Sequence, residues 1–162
     1  MLKRTGLKLV SVVLVIMMLL SIVPAFTVTA LERVEFSYKI TDDTVTITWV
    51  PRDINGTVVI PEEIEGKKVT AIGDKAFNGC NIMKEVVIPE TVTSIGDEAF
   101  GNCDNLRSIN IPDSVTYMKG GSLSWPGTFE GCDLLETVVI GDGLTGVPMR
   151  AFSGCPSIET VT

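Results

Sequence analysis

The side chains that could do chemistry here are four cysteines and an excess of carboxylates, in a chain with no histidine. Cys80, Cys103, Cys132 and Cys155 stand 23, 29 and 23 residues apart. No C-x-x-C pair occurs and no histidine supplements them, so the set does not follow zinc-site spacing. The missing histidine also removes the commonest general base and the usual nucleophile triads. No Gly-rich phosphate loop, nucleophile elbow or metal motif is present. Neither catalysis, a bound metal nor a cofactor is expected, and the chain is not read as an enzyme. Two readings of the cysteines stand. They are a structural ladder of buried thiols, because free cysteine is among the most buried residue types. Or they pair as disulfides in an oxidising compartment, neighbours about 5 Å apart being within reach of a bridge.

The carboxylates also recur in phase. Glu62, Glu90, Asp113 and Asp142 each follow Pro61, Pro89, Pro112 or Gly141. Stacked in register they would form an acidic row, suited to a basic partner or a weak Ca²⁺ site. An acidic residue after proline also suits turn initiation, with the charge simply solvated. Beside that row, Val59, Val87, Asn110 and Val139 occupy outward strand positions. They are a candidate partner-binding stripe, or plain β-propensity. Trp125 sits between Ser124 and Pro126 in a glycine-flanked insertion. It is expected either to stack on a sugar ring or anchor a protein contact, or to fold back over its own repeat.

What must position these residues is an internal repeat. Ala76-Phe77, Ala99-Phe100, Thr128-Phe129 and Ala151-Phe152 share the cysteine spacing, and Ile60-Pro61, Ile88-Pro89, Ile111-Pro112 and Ile140-Gly141 recur beside them. The unit is 23 residues, lengthened near Glu62 to Lys68 and again within Lys119 to Gly127. The cleanest copy has the apolar skeleton Met83, Val86, Ile88, Val92, Ile95, Ala99, Phe100 and Cys103. The last complete copy reads Leu135, Val138, Ile140, Leu144, Val147, Ala151, Phe152 and Cys155. The V-x-I step has the period of a strand, and the proline after it ends the strand. The four-residue step from Ile95 to Ala99 predicts a short helical or 3₁₀ turn. No unit can bury its apolar side alone, so the copies must stack.

This pattern, I-P-x-x-V-x-x-I-G-x-x-A-F-x-x-C, resembles the BspA-type leucine-rich repeats of bacterial surface proteins over about residues 58–162. Thr128 replaces the alanine, Gly141 replaces the proline, and the third copy lacks I-G-D. The resemblance implies an α/β solenoid: a right-handed coil with a parallel β-sheet on its concave face and short helical or 3₁₀ turns on its convex face. It also implies extracellular protein binding or adhesion. The alternative is a carbohydrate-binding or scaffold part of a larger secreted protein.

Residues 31–57 read as a β-hairpin cap. Val34, Phe36, Tyr38 and Ile40 alternate with polar residues, as do Val45, Ile47 and Trp49, about a turn at Thr41 to Thr44. Trp49 and the other aromatics are expected on its inner face, and Asn55-Gly56 predicts a second tight turn. Residues 1–30 carry the signal-peptide pattern: Lys3, Arg4 and Lys8, then an apolar run to Val23, then small residues up to cleavage at Ala30. An uncleaved anchor is the other reading of that run. The expected location is therefore secreted or at the bacterial cell surface, with membrane contact only through this segment. The partner is expected to be an extracellular protein or glycan. Loss of residues 1–30, with three basic and no acidic residues, takes the net charge from −7 to −10. Nucleic acid is an unsuitable partner at that charge. The last residues, Ile158 to Thr162, begin another strand, so the array is expected to continue beyond them.

Overall fold

The computed structural model describes residues 34–121 and 127–162. The signal segment with Ala30, and Trp125, lie outside the described residues. The chain stacks into rungs that feed two sheets. The hairpin comes first, β1 (Ser37–Thr41) and β2 (Thr44–Trp49), then β3 (Gly56–Val59), β4 (Glu63–Ile64), β5 (Lys67–Ile72), β6 (Met83–Val87) and β7 (Ser94–Ile95). After these come β8 (Ser108–Ile111), β9 (Tyr117–Met118), β10 (Thr137–Ile140) and β11 (Thr160–Val161). The V-x-I segments make a five-stranded parallel sheet in the order β11-β10-β8-β6-β3. The second sheet runs β1-β2-β5-β7-β9 with β4 beside β5.

Between the sheets lies one core. Met83, Val86, Ile95, Ala99, Phe100 and Cys103 are all buried, as their repeat positions require. Phe77, Phe100, Phe129 and Phe152 stack down the molecule with ring centroids 4.9, 5.2 and 5.0 Å apart. That spacing is close to the roughly 4.8 Å between hydrogen-bonded strands, so one ring per rung fills the axis without a gap.

The expected helical or 3₁₀ turns are absent: among the described residues there is no helix of any kind. Ile95 lies in β7, and the A-F-x-x-C segment is a chain of turns. The hydrogen bonds explain why. Lys75, Phe77 and Gly79 donate their amides to Asp97, Ala99 and Gly101 of the next rung, at 2.8, 2.8 and 2.9 Å. The alternate residues Ala76, Asn78 and Cys80 donate three residues back. Half the amides a helix would use are therefore spent between rungs. Left-handed residues complete the break, at Lys75 (φ 59°), Glu98 (φ 45°) and Arg150 (φ 59°), and four positions later at Gly79, Asn102 and Gly154.

The hairpin prolongs the second sheet, with β2 parallel to β5. Phe36, Val45 and Ile47 are buried, but Trp49 is 46 % exposed, against the expectation of an inner-face tryptophan. The pairing of β1 with β2 shifts between Ser37 and Tyr38, which leaves Thr48 as an extra residue. This bulge reverses the alternation, so Val50 turns inward in place of Trp49. The second turn falls at Arg52 and Asp53, while Gly56 opens β3 with φ +85°. In the last full copy no strand forms at residues 145–148, where Pro148 would supply no amide. Val147, expected in the core, is 51 % exposed and Met149 71 %.

Candidate functional site: the outward face of the five-stranded sheet

Strand register decides which side chains share the outward face. Val59 pairs with Val87, Glu85 with Ser108, and Val139 with Asn110. Val59, Val87, Asn110 and Val139 therefore form one row, with the valines 55, 44 and 40 % exposed. A polar row runs beside it through Thr57, Glu85, Ser108 and Thr137. Thr57 donates from its hydroxyl to Glu85 Oε2 at 2.9 Å. Between the rows lies a shallow groove of about 310 Å³, bordered by Glu85, Val87, Ser108, Asn110, Thr137 and Val139. The polar row escapes a reading of V-x-I alone. Its signal is the period-two partner of each outward valine.

Glu62, Glu90, Asp113 and Asp142 are all exposed along the edge where the strands end. Asp113 has a structural duty, because its Oδ1 accepts the Asp142 amide at 3.0 Å. The same bond joins Asp74 Oδ1 to the Asp97 amide at 2.7 Å in the second sheet. Gly141 and Gly96 are alike in this. Each donates its amide to an isoleucine of the preceding rung, Ile111 or Ile72, at 2.8 Å. A Cβ at either would fall 2.5–2.6 Å from the amide of Asp113 or Asp74. Gly141-Asp142 is thus the I-G-D device transplanted to the other sheet, which accounts for its departure from proline. Among the described residues, no three Cys, Asp or Glu side chains gather as metal ligands would. The row does not converge as the Ca²⁺ reading requires.

A charged cluster missed in the sequence sits on the second sheet. Lys119 Nζ lies 3.5 Å from Asp74 Oδ2 and 3.8 Å from Asp97 Oδ2, and Lys75 pairs with the buried Glu98 at 3.0 Å. Asp97 Oδ1 is buried without a hydrogen-bond partner.

All four cysteines are free thiols. Cys80, Cys103 and Cys132 are buried and Cys155 is half-buried. Cys103, Cys132 and Cys155 donate to the carbonyls of Phe77, Phe100 and Phe129, at 3.2, 3.1 and 3.1 Å. Burial pushes the Cys80 thiol up to about 11. Hydrogen bonding with Cys103, reinforced by burial, pushes Cys132 up to about 12. Cys155 is raised in turn by its hydrogen bond with Cys132 and by burial. Such thiols are poor nucleophiles at neutral pH.

The comparisons agree on one type of protein. A family model described as the BspA type leucine-rich repeat region matches residues 58–162 in six copies. A leucine-rich repeat protein from Bacteroides capillosus superposes with a TM-score of 0.62 at 28% identity, covering 78% of this chain and 91% of its own. A leucine rich cell surface protein from Faecalibacterium prausnitzii superposes with a TM-score of 0.53 at 24% identity, over 82% of this chain. The match spans only 38% of that longer protein. No curated protein matches the chain.

Proposed function

The chain belongs to the BspA-type leucine-rich repeat family, and from that premise we propose that it is a non-catalytic module, secreted or displayed on a bacterial surface, that binds an extracellular protein across the outward face of its five-stranded sheet. The observation that carries this reading is the row of exposed Val59, Val87 and Val139 beside the groove. Aligned apolar side chains on a rigid sheet offer a partner area that is already ordered, so little conformational freedom is lost on docking. Solenoids bind through such extended faces. The groove is bordered by aliphatic, hydroxyl, amide and carboxylate groups. It has no aromatic platform on which a sugar ring would stack, which favours a protein over the glycan alternative. Export is supported by the pattern of residues 1–30, and the Faecalibacterium neighbour is a cell surface protein.

The test is binding to immobilised panels of extracellular proteins and of glycans. The double variant Val87→Arg, Val139→Arg is compared with Tyr117→Arg on the other sheet. Protein binding is expected to fall about tenfold or more in the first and to persist in the second. Glycan binding alone, or equal loss in both variants, would sink the reading.

A further inference from the structure

The outward face of the five-stranded sheet is electrically lopsided. Along the edge where its strands end, Glu62, Glu90, Asp113 and Asp142 are all exposed. Among the described residues, none of the four enters an ion pair. Where the strands begin, the charges offset one another. Arg107 is paired with Glu136 at 2.9 Å, and Lys84 stands next to Glu85 in the chain. The exposed valines run between the two edges. Like charges held opposite each other on neighbouring strands repel. A cation laid along the row therefore gains attraction to each carboxylate and relieves their mutual repulsion. The spacing of the rungs selects the shape that carries such cations. Successive rungs are 4.9 to 5.2 Å apart, the separation of the stacked phenylalanine rings. A helix lying along the stack advances about 5.4 Å per turn, so one side chain per turn keeps nearly in step with one rung. Like-facing side chains of an extended strand recur roughly every 6.8 Å and fall out of step at once.

Resting on the protein-binding reading of this face, we propose that the segment it takes is a basic amphipathic helix laid along the stack. An aliphatic stripe of that helix covers the valine row, in the helix-in-groove mode. A flanking stripe of Lys or Arg lies over the carboxylates at the strand ends. Asn110 interrupts the valine row and offers its side-chain amide to a polar residue of the partner. The layout also fixes which way the helix is rolled. Its basic stripe suits one edge only, because Lys84 and Arg107 repel it at the other. Apolar burial supplies the contact, and the charge row supplies the choice of partner.

The test uses the full chain and three synthetic, Ala-based peptides of about 18 residues, long enough to hold a helix along the row. The first carries one leucine per turn on one side and lysines in the adjoining stripe. The second has glutamate in place of lysine. The third has the composition of the first with its positions scrambled. Binding is read by fluorescence anisotropy at about 0.15 M salt. The first peptide is expected to bind about tenfold or more tightly than either of the others. Glu90→Gln with Asp142→Asn removes two carboxylates and spares Asp113, whose Oδ1 holds the Asp142 amide. This pair is expected to weaken the first peptide about tenfold or more. Glu35→Gln with Asp42→Asn removes the same charge from the hairpin, and is expected to leave binding within about twofold, since distant charges are screened. No binding of the first peptide, equal binding of all three, or equal loss in the two pairs of variants overturns the proposal. The wider reading of the face is judged separately, on the panel of extracellular proteins. If proteins retained there are lost in Val87→Arg, Val139→Arg but kept in Glu90→Gln, Asp142→Asn, the face stands and the basic helix falls.

Discussion

Thr128 and Gly141 break the repeat pattern for opposite reasons. Thr128 is fully buried, and its hydroxyl donates to the carbonyl of Lys119 at the start of the second insertion. Alanine suffices at the equivalent positions in the other copies because they carry no inserted segment there. Thr128→Val keeps the shape and deletes the hydrogen-bond donor at a fully buried position. It is expected to lower stability by about 0.5–1.5 kcal/mol in urea unfolding. Gly141→Pro would restore the repeat consensus and is nevertheless expected to destabilise. It removes the amide that bonds Ile111 O and drives carbon against the backbone of Asp113. A loss of at least about 1–3 kcal/mol is expected, again from urea unfolding. A rise in stability would show that Gly141 is an ordinary substitution for proline. These two departures were visible in the sequence, but their reasons were not. Gly141 depends on atoms of the preceding rung, and Thr128 on a carbonyl nine residues earlier, across the insertion in its own rung.

Within the hairpin, the bulge at Thr48 reassigns the two faces of β2. Ile47→Ala is therefore expected to cost about 2–5 kcal/mol, as truncation of a fully buried branched side chain does. Trp49→Ser is expected to stay within about 0.5 kcal/mol of the parent, as at most exposed positions. Thermal and urea unfolding of the two variants checks both values. The alternation of Val45, Ile47 and Trp49 could not disclose the bulge, because the extra residue exists only relative to its partner β1. The turns after each strand depart from the expected helical form for a related reason. A four-residue apolar step suits a helix, but left-handed backbone at Lys75, Glu98 and Arg150 carries no glycine to announce it. By contrast, the core strands were plain in the sequence. Val86 and Ile109, which are paired, repeat the same residue class at the same phase. The outward row of Val59, Val87, Asn110 and Val139 followed from that phase. The thiol contacts and the Asp-to-amide bonds did not, because they need the true spacing between rungs.

Across the whole molecule, each rung touches only its neighbours, so protection against local opening should follow position in the stack. The amides of Phe77, Phe100 and Phe129 are held between rungs beneath the stacked rings. Those of Thr160, in the exposed strand β11, and of Thr162 just after it bond to Glu136 and Val138. Native-state hydrogen exchange is expected to be slower in the first group by roughly two or more orders of magnitude. Uniform exchange would mean that the stack opens as one cooperative body. The same one-dimensional order governs how the molecule would meet a pulling force. Inside one junction the strand, turn and thiol contacts share a load side by side. Successive junctions carry it in series. Tension along the stack is therefore limited by the weakest junction, and adding rungs lengthens the tether without strengthening it.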